Sequence, residues 1–445
     1  MTYEQAVQWL FDAVPNFQRD GGTKDYKIGL DGPKALWEAL HFPGKTIPTI
    51  HVAGTNGKGS TVHLLASGMK EMGLRVGVFS SPHLFDFRER AKIGTEMVPE
   101  EFVRQFVETN KDFFAKGGYS FFELTTMLAL AWFEQEAVDW IVLETGMGGR
   151  LDATNICEPE LTLITNIGLD HTQWLGSTLA AIATEKSGIM KEGVPVIIGE
   201  AHVETREVFI QSARAKNAPL FWSHSYGIAT EKSGIMKEGV PVIIGEKHAE
   251  TQEVFTRHAR AKNAPLFWSH SYGIVTDLMG SYQTLNSDAA ATALDLLFPA
   301  ERKVWELGFS RVVVNTGLQG RWQKIQSRPT VICDTGHNEH ALRHIVQQAH
   351  NEANHVHWVL GMAADKEHAK ALQWFPKTDS FYWTSTQSKR CLSSDQLAKI
   401  ADEIGYNGAT YTSVEEALNA AINLAKEDDL IFVGGSTFVV ADLKL

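Results

Sequence analysis

The stretch His51-Val-Ala-Gly-Thr-Asn-Gly-Lys-Gly-Ser-Thr61 decides how this chain is read. Just ahead of it and overlapping its start, Pro48 to Val52 is short and apolar with isoleucine and valine, which predicts a buried strand. Gly54, Gly57 and Gly59 loosen the backbone, and from Thr61 the run Val-His-Leu-Leu-Ala-Ser-Gly-Met continues with helical apolar spacing. Strand, glycine loop and helix together wrap phosphate oxygens in backbone N–H groups at a helix N-terminus. Lys58 would then neutralise the outer phosphates, and a hydroxyl from Ser60 or Thr61 could reach a magnesium ion. The spacing departs from the usual phosphate-loop pattern twice. Val52 stands where the first glycine belongs, and Gly59 where a hydroxyl follows the lysine. A lysine inside the loop, flanked by strand and helix, still predicts a phosphorylated ligand rather than an empty turn.

Outward from this loop, apolar strands alternate with amphipathic helices as far as residue 300. Strands are predicted at Arg75–Phe79, Trp140–Glu144, Leu161–Asn166 and Val194–Ile198, and helices at Thr61–Met72, Pro99–Lys116, Phe121–Gln135 and Thr178–Met190. Such alternation implies an α/β fold with a mostly parallel sheet covered on both faces. The pattern restarts after Arg321 with strands at Val331–Asp334, Val356–Leu360, Phe381–Thr384 and Leu430–Val433. That second block is the size of one small α/β domain. The division falls near Gly320, giving units 1–319 and 320–445.

One segment is written twice. Ile182 to Gly227 recurs as Ile228 to Gly273, and 40 of the 46 positions are identical. The six differences fall at 201, 203, 206, 210, 211 and 212 of the first copy. Repeat architectures need at least three stacked units, so two copies within an α/β domain read as a tandem duplication. The second copy is expected as an extra surface layer or a partly ordered insertion.

Composition narrows the function. A formal charge of −12 over 445 residues gives no basic footprint for nucleic acid, and anionic substrates then need local basic groups. Three scattered cysteines, Cys157, Cys333 and Cys391, argue against a disulfide framework or a zinc site. The N-terminus lacks the pattern of a signal peptide, and the most apolar helix, Leu124 to Phe133, is too short for a membrane span. These features predict a cytoplasmic protein.

Strand ends supply further candidates. Ser81 follows one strand, Glu144 ends another, and Asp170-His171 follows a third. Ligands bind at that edge of open parallel sheets, so three such ends beside a phosphate loop predict a magnesium–nucleotide site. Phe85, Phe121 and Phe122 are candidates to stack on a planar ligand, and Arg88 and Arg90 to hold carboxylates.

Taken in order, these segments resemble folylpolyglutamate synthase and dihydrofolate synthase, members of the Mur ligase group of ATP-dependent amide ligases. The resemblance is carried by Gly54-Thr-Asn-Gly-Lys-Gly-Ser, Ser80-Ser-Pro-His-Leu, Glu144-Thr-Gly-Met-Gly-Gly-Arg-Leu-Asp-Ala-Thr-Asn, Asp170-His, Glu185-Lys-Ser-Gly-Ile, Gly320-Arg-Trp, Asp334-Thr-Gly-His-Asn and Gly435-Ser. Asp25-Tyr-Lys-Ile-Gly-Leu-Asp is similar to the family's loop near the pteroate pocket. In that family a glycine follows the loop lysine, so Gly59 fits.

The resemblance implies an N-terminal Mur-ligase-type phosphate-loop ATPase domain and a smaller C-terminal Rossmann-like α/β domain. It implies that Gly54, Thr55, Asn56, Gly57, Lys58, Gly59, Ser60 and Thr61 hold ATP, with Arg321 and Asp334 reaching the nucleotide from the second domain. Ser81 and Glu144 would bind one Mg²⁺ and His171 a second. Lys186 would carry a carbamate that completes the metal site, and His337 would lie near the reacting phosphate. The implied reaction converts the carboxylate of a folate or dihydropteroate into an acyl phosphate, which L-glutamate attacks. A monomer that engages neither membrane nor nucleic acid is implied. Because of the duplication, Lys232 competes with Lys186, and the continuous helix after His171 favours Lys186. Two other readings are a Mur-like amino-acid ligase on a cell-wall precursor and an ATP-binding protein disabled by its duplication.

Overall fold

The computed structural model describes residues 1–12, 29–40, 47–200, 202–223, 242–244, 256–257, 260–261, 266–268, 273–364, 368–388 and 390–443. Two large sheets organise them. The first has eight strands: β1 (Thr49–Ala53), β2 (Val76–Phe79), β3 (Ala91–Ile93), β4 (Glu96–Met97), β5 (Trp140–Glu144), β6 (Leu161–Ile164), β7 (Val196–Ile198) and β8 (Leu220–Trp222). Their spatial order is β4-β3-β2-β5-β1-β6-β7-β8, parallel except for the β2-β3-β4 edge. β1 lies between β5 and β6, so the chain leaves it in one direction and later crosses it in the other. That crossing point is where an open parallel sheet leaves a crevice for ligands.

Period-two burial divides the side chains between two cores. Ile141 and Leu143 of β5 pack with α1 (Tyr3–Asp12), α2 (Asp31–Ala39), α4 (Glu100–Gly117) and α5 (Phe121–Gln135). Val142 faces the opposite core with Ile50 and Val52. There α3 (Lys58–Glu71) packs on α9 (Gln283–Leu297), α10 (Arg302–Phe309) and α11 (Val312–Thr316). α6 (Thr172–Leu175), α7 (Leu179–Ser187) and α8 (Val203–Ala215) form a third cluster with Ile164 and Ile198.

The second sheet is built from β11 (Gln323–Ser327), β12 (Thr330–Asp334), β13 (Val356–Leu360), β14 (Ser380–Thr384), β15 (Gly408–Tyr411) and β16 (Leu430–Gly434). Its order is β11-β12-β16-β13-β14-β15, and only the edge strand β11 runs antiparallel. The helices α12 (Glu339–Glu352), α13 (His368–Leu372), α14 (Ser394–Glu403), α15 (Val414–Leu424) and α16 (Thr437–Ala441) accompany it.

The duplication has a structural counterpart. Val196–Ile198 pairs with Leu220–Trp222 inside the large sheet. The equivalent strands β9 (Val242–Ile244) and β10 (Leu266–Trp268) pair with each other, parallel and in the same register, as a separate two-stranded sheet. Lys232 and most of Asp25–Leu30 lie outside the described residues. Among the described residues no helix is long and apolar enough to cross a membrane.

Candidate active site

The phosphate loop departs from its sequence reading in one respect: α3 begins at Lys58, not at Thr61. Gly54 and Gly57 have positive φ, whereas Gly59 sits in the first helical turn. Gly57, at φ 82°, is required twice over, since a Cβ there would come within 2.2 Å of Asn286 Oδ1. At Gly59 the reason is an approach from the second unit. A Cβ would stand 3.2 Å from Arg321 Nη2 and 3.8 Å from Glu144 Oε2. The loop is clasped from below by the segment leaving β6. Thr55 N donates to Asn166 O (3.0 Å), Asn56 N to Asn166 Oδ1 (2.9 Å) and Thr165 Oγ1 to Asn56 O (2.6 Å).

Of the two hydroxyls expected on magnesium, that of Ser60 has a protein partner and that of Thr61 has none among the described residues. Ser60 Oγ accepts from Gln283 Nε2 at 3.2 Å, and Ser60 and Thr61 are both buried. Gln283, in turn, accepts from Asn286 Nδ2 at 2.8 Å. These two α9 residues were missed in the sequence, although polar residues three apart ahead of an alanine-rich run are a usable signal.

Two lysines converge on one carbonyl. Lys58 Nζ donates to Gly54 O at 3.0 Å, and Lys186 Nζ donates to the same oxygen at 2.9 Å. Lys186 is 4% exposed, at the end of α7. The loop after β5 fixes that end: Arg150 N donates to Glu185 O (2.8 Å), and the Arg150 guanidinium pairs with the Glu185 carboxylate (2.9 Å). Burial, with the Lys58 charge beside it, lowers the Lys186 ammonium to about 7, against the pull of Asp170 and Asp152.

Glu144 ends β5 at 3% exposure and accepts from Ser81 N at 3.2 Å. Burial raises its carboxyl to about 6, although Lys58, the Ser81 amide, Arg321 and Arg90 all oppose the shift. His171 takes a left-handed backbone, φ 50°, at the start of α6. A cavity of about 260 Å³ brings Lys58, Ser81, His171, Lys186 and His337 together. Glu144, Arg321 and Gly59 line an adjoining space that shares Ser81 with it. Thus the phosphate loop, Ser81, His171 and His337 line one cavity, and Glu144 and Arg321 line the space that adjoins it. Among the described residues no cluster of three or more His, Cys, Asp or Glu forms a ready-made metal site.

The second unit closes on the first through side-chain amides. Asn338 Nδ2 donates to Asn56 Oδ1 (2.8 Å), and Asn56 Nδ2 donates back to Asn338 Oδ1 (3.2 Å). Asn338 Nδ2 also donates to Asp170 Oδ2 at 3.1 Å, and His337 Nε2 lies 3.7 Å from the same oxygen. Asn338 was quoted in the sequence motif without a role. Asp334 accepts from Trp322 N (2.7 Å), Gly336 N (2.7 Å) and Tyr282 OH, so it fixes the turn after β12. Arg321 donates to Gly320 O (3.0 Å) and to Thr335 Oγ1.

The expected carboxylate-binding arginines are differently placed. Arg88 is paired with Asp86 and Glu100. Arg90 is buried and lines the cleft; its Nε donates to His83 Nδ1 at 2.8 Å, and its guanidinium lies 5.0 Å from the Phe121 ring centroid. Phe121 itself stacks on Phe11, while Phe121 and Phe122 both face the cleft. Phe85 does not line it. From the second unit Arg390, Ser436 and Phe438 complete the wall, and no local sequence signal marked Arg390.

Fold and cleft together define a protein of two α/β sheets with a glycine-rich loop at a cleft lined from both sides. The model of the Mur ligase middle domain matches residues 52–294, and that of the Mur ligase glutamate ligase domain matches residues 320–437. The chain belongs to the Mur ligase family, in its folylpolyglutamate synthase and dihydrofolate synthase branch. The Escherichia coli dihydrofolate synthase/folylpolyglutamate synthase is 33% identical over 406 residues, covering 88% of this chain and 84% of that protein. The Haemophilus influenzae protein of the same name is 30% identical over 452 residues, covering 98% and 96%. A solved bifunctional folylpolyglutamate synthase/dihydrofolate synthase with Mn, AMPPNP and L-glutamate bound matches 100% of this chain and 97% of its own at TM-score 0.76 and 27% identity. E. coli FolC in complex with DHPP and ADP matches with the same coverage at TM-score 0.72 and 28% identity. The cell-wall reading receives no support from these relatives.

Proposed function

We propose that this chain is an ATP-dependent ligase that joins L-glutamate to a folate, a dihydropteroate or both, acting in the cytoplasm. The observation that carries the reading is the convergence of Lys58 and Lys186 on the Gly54 carbonyl, inside a cleft that His337 lines and beside which Asn338 bonds to Asn56 and Asp170. Family membership and relatives with bound ADP, AMPPNP, Mn, L-glutamate and DHPP support it. In this reading residues 1–319 carry the phosphate loop and acceptor pocket, and residues 320–445 close over them.

The amides of residues 57–60 and Lys58 hold the triphosphate, and Arg321 approaches it across Gly59. Asp334 orders the turn that presents His337. Glu144 fits a hard divalent cation, being a buried carboxylate kept basic by its surroundings, with Ser81 beside it. Mg²⁺ commonly takes one or two carboxylates plus substrate phosphates, which suits a site with few protein ligands. His171, which lines the same cavity as Ser81, would hold the second ion. When bound, the metal would spread the charge that develops on the transferring phosphoryl group.

Lys186 suits carbamylation. Its lowered basicity leaves much of the amine uncharged near neutrality. Addition of CO₂ forms an N–C bond, releases a proton and replaces a cation beside Lys58 with an anion. Two ammonium groups sharing one carbonyl then become an attracting pair.

The acceptor's carboxylate takes the γ-phosphoryl group of ATP, and the glutamate amine displaces phosphate to leave an amide. Closure of the second unit keeps water from the acyl phosphate. Acceptor-dependent ADP release tests the scheme, with tetrahydrofolate, dihydropteroate and a UDP-muramoyl acceptor compared side by side. Activity is expected with one or both pterins and is expected to fall at least about a hundredfold in Lys58→Ala. Full activity in that variant, or turnover on the UDP-muramoyl acceptor alone, refutes it.

A further inference from the structure

A second cavity, of about 250 Å³, shares Ser81, Pro82 and Thr437 with the substrate cleft. It runs from Gly59 and Glu144, beside the proposed position of the terminal phosphate, to Thr95 and Gly317, which are exposed. The space therefore joins the reacting centre to solvent by a route other than the acceptor pocket.

Its lining has a particular chemistry. His63 is 2% exposed, and its Nδ1 lies 2.7 Å from the Gly59 carbonyl. A carbonyl only accepts, so Nδ1 carries the hydrogen and Nε2 is left as an acceptor. Nε2 is buried and has no hydrogen-bond partner among the described residues. Burial, with the charges of Lys92 and Arg321, holds the ring neutral, down at about 3, although the Gly59 carbonyl favours the charged form. Lys92 is buried as well; its Nζ donates to Thr316 O at 2.5 Å and keeps two hydrogens for another partner. Arg321 supplies a second cation. The acidic wall is largely committed: Glu89 accepts from the amides of Leu84, Phe85 and Asp86, and Glu144 is the proposed metal ligand.

Two cations beside one bare acceptor select an anion that also bears a hydroxyl. ATP's terminal phosphate and an acyl phosphate lack one when fully ionised. Attack of the glutamate amine forms the C–N bond and breaks the acyl C–O bond. The amine proton then passes to the departing phosphate, giving amide and HPO₄²⁻. We infer that this chamber receives the inorganic phosphate product, with its charged oxygens toward Lys92 and Arg321 and its hydroxyl toward His63 Nε2. The assignment rests on the ligase reading above for the source of the phosphate, and it makes the chamber a separate exit for that product.

The test is equilibrium binding of inorganic phosphate to the ADP-loaded full chain, with sulfate, which has no hydroxyl at neutral pH, as the comparison. Phosphate is expected to bind at least about tenfold more tightly than sulfate, and Lys92→Met and His63→Phe should each weaken it about tenfold. Equal affinity for the two anions, or wild-type phosphate binding in both variants, overturns the assignment. The sulfate comparison needs no variant, so a folding defect in His63→Phe leaves it decisive. The assay contains no acceptor and no glutamate. Absent phosphate binding in a chain that still makes amide refutes the chamber, whereas phosphate binding without amide formation on any acceptor refutes the ligase reading.

Discussion

The two copies of the 46-residue unit share 40 residues, yet they are used differently. In the first, β7 and β8 extend the eight-stranded sheet, α8 packs Phe209 and Ile210 beneath them, and Lys186 enters the cleft. In the second, β9 and β10 reproduce the same pairing register but, among the described residues, join no other strand of either large sheet. Local sequence thus specifies the strand pair and its register. What it joins depends on the chain on either side, because β6 has one free edge and β7 fills it. All six differences lie at or within α8 and its approach, and one of them replaces buried Ile210 with Thr256. Another replaces Arg206, whose guanidinium lies 5.7 Å from the Trp222 ring centroid, with Gln252.

The sharpest way to break this comparison is to remove the lysine from each copy in turn. Lys186→Ala is expected to lower glutamate ligation at least about a hundredfold, whereas Lys232→Ala should stay within about twofold of the parent. The reverse order in an ADP-release assay would mean that the second copy supplies the working lysine.

Protonation gives a second handle on the same residue. A lysine lowered to about 7 is mostly uncharged above that pH and charged below it, and CO₂ adds to the uncharged amine. Bicarbonate-stimulated ligation should therefore be full at pH 8 and fall about tenfold by pH 6, one unit below that value. Glu144, raised to about 6, takes up a proton over the lower part of that range and adds to the loss. A flat profile from pH 6 to 8, with no bicarbonate effect, would remove the carbamate from the scheme.

Deleting 228–273 joins Gly227 to Ile274 and leaves the junction Gly-Ile that the parent has at 273 and 274. The shortened chain should ligate within about threefold of the parent, since the first copy already fills the sheet edge; turnover numbers measured side by side check this. Deleting 182–227 instead yields a chain that differs from the first deletion at the six positions alone. Threonine in place of buried isoleucine, with the Arg206–Trp222 contact gone, should cost about 2 kcal/mol. Its melting temperature should lie about 2–6 °C below that of the first deletion by calorimetry. Equal melting points would show that α8 contributes little to the edge.

Much of the first unit was legible because its strands carry unbroken apolar runs. Trp140–Glu144 and Phe121–Gln135 appear with the boundaries read from the sequence. The elements not anticipated lack that signature: β4 has two residues, and β15 is Gly-Ala-Thr-Tyr at a sheet edge, mostly exposed. The start of α3 at Lys58 was missed because glycine is a poor helix former, whereas here Gly59 answers to the approach of Arg321. In the cleft, the residue types were legible and their partnerships were not. Asn338 meets Asp170 across 168 positions, and no local pattern encodes such a meeting. The residues around the two lysines are identical in both copies, so the sequence favoured Lys186 only through the helix that follows His171; in the structure Lys186 Nζ donates to Gly54 O.

The reciprocal pair between Asn56 and Asn338 has a thermodynamic consequence. One partner belongs to the nucleotide loop, and the other is the N-cap of α12, its Oδ1 accepting from Ala341 N at 2.9 Å. Opening the cleft therefore strips the loop of a side-chain partner and the helix of a neighbour in the same event. Linkage then binds the two equilibria together. Whatever factor nucleotide adds to the preference for the shut form, shutting adds to nucleotide affinity. A second substrate that is gripped only when the cleft is shut would tighten the first without touching it.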